Sequence, residues 1–109
     1  MFRAIALPCA IFVLAATAGA VVVVAAKTVD VKIAALAFAP AEVTAHVGDT
    51  VTWENADFID HTATSSEGGW DVVLPVGGTG RVVLTKAGTF DYICTIHPNM
   101  KGKVHVTSD

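Results

Sequence analysis

The sequence predicts an all-β domain, a sandwich or barrel of two sheets built from about eight short strands. Three observations carry that prediction. Apolar and polar residues alternate with period two in several short segments. Gly, Pro, Asn and Asp interrupt those segments at short intervals, and no segment shows a convincing helical period. In chain order, Val29, Val31 and Ile33 alternate with Asp30 and Lys32 as a first strand. Glu42 to Val47 forms a second that ends at Gly48-Asp49, and Thr50 to Asn55 follows at once, so the chain turns as a hairpin or corner at Val47-Gly48-Asp49. His61 to Ser65, Trp70 to Leu74, Arg81 to Thr85, Thr89 to Cys94 and Lys101 to Val106 complete the set. Phe38, Phe58, Phe90, Trp53, Trp70 and Tyr92 are the aromatic candidates for its core.

The first 26 residues are of a different kind. Met1 to Ala26 carries one charge, Arg3, ahead of an apolar run and small residues suited to cleavage, which is a secretory signal pattern. Cleavage is expected after Ala26, with Ala20 as the other site, leaving a domain from Lys27 to Asp109. The competing reading is a retained membrane anchor, because a spanning helix needs about 20 apolar residues and Ala4 to Ala26 supplies 23. Either way the domain is exported. Cys9 lies inside the leader and is expected to be discarded with it.

Beyond the leader stand six lysines and arginines against ten aspartates and glutamates, a net charge of −4. Nucleic-acid binding needs a clustered basic face, and the chain has none. Glu54, Asp57 and Asp60 precede His61, where they could steer a cationic partner or simply form a solvated loop.

Without the leader, Cys94 is the domain's single cysteine, so no internal disulfide is available. An unpaired thiol in an oxidising compartment is either buried and inert or held by a metal. The residues that follow favour the metal: in Cys94-Thr95-Ile96-His97-Pro98-Asn99-Met100, thiolate, imidazole and thioether recur at every third position. With one further imidazole, these are the ligand types of a blue-copper site, and His61 is available for that place. Such a site cycles one electron and leaves no position open for substrate, so no enzymatic activity is expected. His46 and His105 read as surface histidines.

Taken together, these segments resemble the cupredoxins from Val29 to Val106. The resemblance is carried by Val47-Gly48-Asp49-Thr50-Val51-Thr52-Trp53, His61-Thr62-Ala63-Thr64, Ala87-Gly88-Thr89-Phe90-Asp91-Tyr92-Ile93-Cys94 and Met100-Lys101-Gly102-Lys103-Val104. The two-residue gaps of the ligand loop are similar to those of the amicyanins. The resemblance implies a Greek-key sandwich in the periplasm, a monomer, and one type 1 copper held by His61, Cys94, His97 and Met100. It also implies transient redox partners, with a periplasmic dehydrogenase as donor and a c-type cytochrome as acceptor, docking on an apolar patch around His97 that includes Ile96, Pro98, Phe58, Ile59 and Pro75. The sulfur of Cys94 should accept the amide of Thr62. Ile96 and Asn99 stand where amicyanin loops usually have proline and phenylalanine. Ile96 thereby regains an N–H that proline lacks, and a second amide donor to the sulfur is expected there. The competing functions are a copper carrier or storage protein without redox turnover, a structural zinc module and, last, a cysteine hydrolase using Cys94 and His97.

Overall fold

The computed structural model describes residues 25–108. The leader up to Val24, including Cys9, lies outside them. Among the described residues there are nine strands and no helix: β1 Thr28–Ala34, β2 Ala37–Ala39, β3 Glu42–His46, β4 Thr50–Asn55, β5 His61–Ser65, β6 Asp71–Leu74, β7 Thr79–Val83, β8 Gly88–Ile93 and β9 Lys101–Thr107. They form two sheets, ordered β2-β1-β4-β7 and β3-β9-β8-β5-β6. β1 pairs with β4 and β3 with β9 in parallel; the other neighbours are antiparallel. The expected all-β sandwich is therefore present with one strand more than the sequence suggested.

The additional strand is β2, three residues reading Ala-Phe-Ala, too short for alternation to register. It folds back on β1 through the two-residue turn Ala35-Leu36, and both residues take left-handed φ values, 53° and 60°. That pairing of signs suits the twist of a tight hairpin but strains side chains other than glycine. The turn at Val47-Gly48-Asp49 is a corner and not a hairpin, because β3 and β4 lie in different sheets. Gly48 supplies the required positive φ of 100°, and the Asp49 carboxylate accepts the amides of His46 and Lys27. β7 begins two residues earlier than expected, at Thr79.

Alternation buries one face of each sheet. Val31, Ile33, Val51, Trp53, Val43, Ala45, Ala63, Tyr92, Val104 and Val106 meet between the layers, and a core of this kind contributes through apolar area removed from water. Phe38 and Trp53 both pack edge-on against Tyr92, at centroid distances of 4.7 and 5.4 Å. Trp70 and Phe90 are partly buried against the same cluster. Phe58 overturns its core assignment: it is 93% exposed, projecting from the β4–β5 loop.

Tyr92 is accommodated because its partner across the β8–β9 ladder is Gly102. A Cβ at that position would run into the ring and hydroxyl of Tyr92, which is itself fully buried. Overpacking of this kind costs about 1–3 kcal/mol. The expected result for Gly102→Ala is a lower melting temperature, by about 4–8 °C for each kcal/mol in a domain of this size. Thermal unfolding followed by circular dichroism measures it, and an unchanged midpoint would refute the packing argument.

Candidate metal centre

One end of the sandwich gathers the β1–β2 turn, the β4–β5 loop, the start of β5, the β6–β7 turn and the β8–β9 loop. The β4–β5 loop is organised by Asn55, buried at the end of β4, where an amide side chain has no water to turn to. Its Nδ2 donates to the carbonyls of Ile59 and Leu74, and its Oδ1 accepts the amide of Asp57. The chain is thus folded back so that His61 enters β5 with its ring wholly inside. The β8–β9 loop is closed by its own backbone: Cys94 N donates to Met100 O, and Met100 N donates to His97 O.

These two loops bring three of the four expected ligands together. The donor atoms of His61, Cys94 and His97 all lie within 4.8 Å of one another. Cys94 Sγ is 3.6 Å from His61 Nδ1 and 3.9 Å from His97 Nδ1, and the two imidazole rings stand 5.0 Å apart. Cys94 and His61 are fully buried and His97 is half-buried. The Met100 side chain is buried within the same core cluster, at the end of the loop. His46 and His105 are on the surface, paired with Asp49 and Glu42.

Burial pushes the Cys94 thiol up. Against it act the Thr62 amide, which donates to the sulfur at 3.3 Å, the rings of His61 and His97, and the His97 backbone, and their sum brings the thiol down to about 6. The thiolate is the form that binds metal. The Thr62 donor is the one expected. The Ile96 amide is not among the sulfur's hydrogen-bond partners, and Ile96 turns its side chain out, half-exposed. Its expected influence through the sulfur is therefore withdrawn.

Asp57 is the residue whose role the sequence did not disclose. Its Oδ2 lies 3.0 Å from His61 Nε2 and accepts the amide of Leu36 at 2.9 Å. The Leu36 amide first, and then the His61 ring, hold its carboxyl below the usual range. An ionised carboxylate only accepts, so Nε2 donates to it, which leaves Nδ1 as the ring atom available to an ion beside the sulfur. The same carboxylate steadies the strained Ala35-Leu36 turn. Asp60 is likewise engaged, accepting the amide of Val76. Two of the three carboxylates ahead of His61 are thus building the loop.

The donor set decides which ion fits. One soft sulfur and two imidazole nitrogens, enclosed and without a carboxylate oxygen facing them, suit a soft or borderline transition metal far better than calcium or magnesium. Around the half-buried edge of His97 this end of the molecule also exposes Leu36, Phe58, Ile59, Val76 and Ile96.

Comparison with known proteins points the same way. Residues 4–106 match the model of the cupredoxin-like domain. Amicyanin-alpha of Methylorubrum extorquens is 40% identical over 87 residues, covering 74% of this chain and 73% of that protein. Amicyanin of Paracoccus denitrificans is 36% identical over 89 residues, covering 76% and 68%. Among solved structures, an oxidised amicyanin mutant superposes with a TM-score of 0.66 at 33% identity, covering 72% of this chain and 80% of the other. A purple cupredoxin from Nitrosopumilus maritimus gives 0.67 at 26% identity, covering 72% and 99%.

Proposed function

The chain belongs to the cupredoxin-like family, and from that premise we propose that it is an exported type 1 copper protein, carrying one electron at a time between transient redox partners. The observation that bears most weight is the meeting of Cys94 Sγ with two imidazole Nδ1 atoms, the sulfur already supplied with a backbone N–H. In this reading His61, Cys94 and His97 would hold the ion, and Met100 would add a weaker contact through its thioether sulfur.

Copper supplies the one-electron couple; the protein supplies a setting that does not have to rearrange. β5 and β8 lie side by side in one sheet, and the Cys94–Met100 backbone bond closes the loop that carries Cys94, His97 and Met100. Asp57 keeps His61 in the tautomer that offers Nδ1. Thr62 and the His97 backbone stabilise the anionic sulfur, and burial of Cys94 and His61 keeps water from them. With ligands already placed, little reorganisation accompanies a change of oxidation state. No residue in this set is left to act on a substrate.

His97 is the ligand nearest solvent, and the exposed apolar residues around it form a docking face for brief encounters. A periplasmic dehydrogenase as donor and a c-type cytochrome as acceptor are the partner classes assigned, with the protein acting as a monomer. Small contact areas are usual for such complexes. The leader fits export with cleavage after Ala26, or retention as an anchor.

The test is direct. Copper(II) added to the metal-free protein should bind one ion per chain and produce an intense visible band from thiolate-to-copper charge transfer, which bleaches on reduction. Tight but colourless copper binding would instead favour a carrier or storage role and would sink the electron-transfer reading.

A further inference from the structure

A line of hydroxyls runs across the outer face of the second sheet to the metal end. Thr62 and Thr64 alternate with the inward residues of β5. Asp71, paired with Thr64 across the β5–β6 ladder, accepts from Thr64 Oγ1 at 2.8 Å. Thr64 Oγ1 is 2.9 Å from Thr62 Oγ1. Thr62 Oγ1 in turn accepts the amide of Thr95 at 2.9 Å and lies 3.1 Å from Thr95 Oγ1.

Each hydroxyl has one proton, and the ionised carboxylate can only accept. Thr64 therefore donates to Asp71 and can only accept from Thr62. Thr62 spends its proton on Thr64, which leaves its oxygen to receive both the amide and the hydroxyl of Thr95. The direction of every hydroxyl bond in the series is set by Asp71. Two of its members adjoin ligands: Thr62 follows His61 and donates its amide to Cys94 Sγ, and Thr95 follows Cys94.

The geometry points to Asp71 as a positioning residue for the copper centre, acting through Thr64 and Thr62 to hold the Thr62 amide against the Cys94 sulfur. That amide withdraws electron density from the thiolate and favours the reduced site. The inference rests on the copper reading of the site, and on that reading it makes a prediction of unusual sign. Deleting a negative charge near a redox centre raises its potential by simple Coulomb interaction. Deleting Asp71 as a positioning group loosens the sulfur's hydrogen bond and lowers it.

Voltammetry of copper-loaded Asp71→Ala and Thr64→Val is expected to give lower potentials than wild type for both. A rise in Asp71→Ala, or no shift, overturns the proposal. In a Thr62→Val background the Asp71→Ala shift should vanish; if it persists undiminished, the residue acts through space and the proposal fails. A second arm needs no copper and so stands apart from the function proposed above. In the metal-free protein, Asp71→Ala should speed hydrogen exchange of the Thr62 amide severalfold, with the melting temperature recorded alongside. Unchanged exchange at Thr62 overturns the inference whatever the metal does.

Discussion

Cys94→Ser is expected to remove the blue colour altogether and with it one-electron transfer, while the protein still folds. The colour depends on a thiolate sulfur donating charge to copper, and a serine hydroxyl is neither soft nor ionised at neutral pH. The loss should therefore be complete and not graded. Folding should survive because serine is nearly the same size and its oxygen can still accept the Thr62 amide that now meets the sulfur. Burying a hydroxyl that keeps a partner costs far less than burying one without. Visible absorption after copper addition measures the first effect and thermal unfolding of the metal-free protein the second. A variant that stays blue would place the copper elsewhere and end the assignment of Cys94.

The next largest effect is expected at Asp57, a residue that would not touch the metal. Asp57→Ala should weaken copper binding by about 10–100-fold, the usual consequence of removing the partner that orients a ligating histidine. With the carboxylate gone, His61 Nε2 loses its acceptor at 3.0 Å, the proton is free to move to Nδ1, and the lone pair must be recovered before the ring can bind. The Leu36 amide loses its acceptor in the same step, so the strained Ala35-Leu36 turn beside the site should loosen as well. Asp57→Asn, which keeps an accepting oxygen, should fall between wild type and Ala. Competition with a chelator of known affinity gives the numbers. Equal affinities in all three proteins would show that His61 is oriented by its packing alone.

Much of this was legible in the sequence because the features concerned are local or periodic. Cys94, His97 and Met100 share one loop, so their spacing announces them; His61 opens a strand whose alternation is plain. The strands themselves follow from residues such as Val29, Val31 and Ile33, whose pattern is the physical cause of their burial. What escaped the sequence depends on contacts between distant segments. Asp57 looks like any loop acid until Leu36, 21 positions away, is brought to it. Phe58 is aromatic, and burial is the default for an aromatic, but the β4–β5 loop pinned by Asn55 turns it outward. Ile96 has the N–H that proline lacks, but two backbone bonds close the loop and that amide is not among the sulfur's partners. β2 has too few residues to show any period.

The Asp49 corner has a consequence for how the molecule is presented. Asp49 fastens the amide of Lys27, and the parallel pairing of β1 with β4 starts there, at Thr28 and Thr50. β4 then runs toward the metal end over six residues, a rise of roughly 17–20 Å at about 3.3 Å per residue. The chain thus enters the domain at the pole opposite His97. Were the residues ahead of Lys27 to stay in a membrane, the tether would join the domain at the pole away from its apolar cap. Tethered or released, the molecule offers the same face to a visitor, and anchoring would restrict where it travels without obstructing whom it meets.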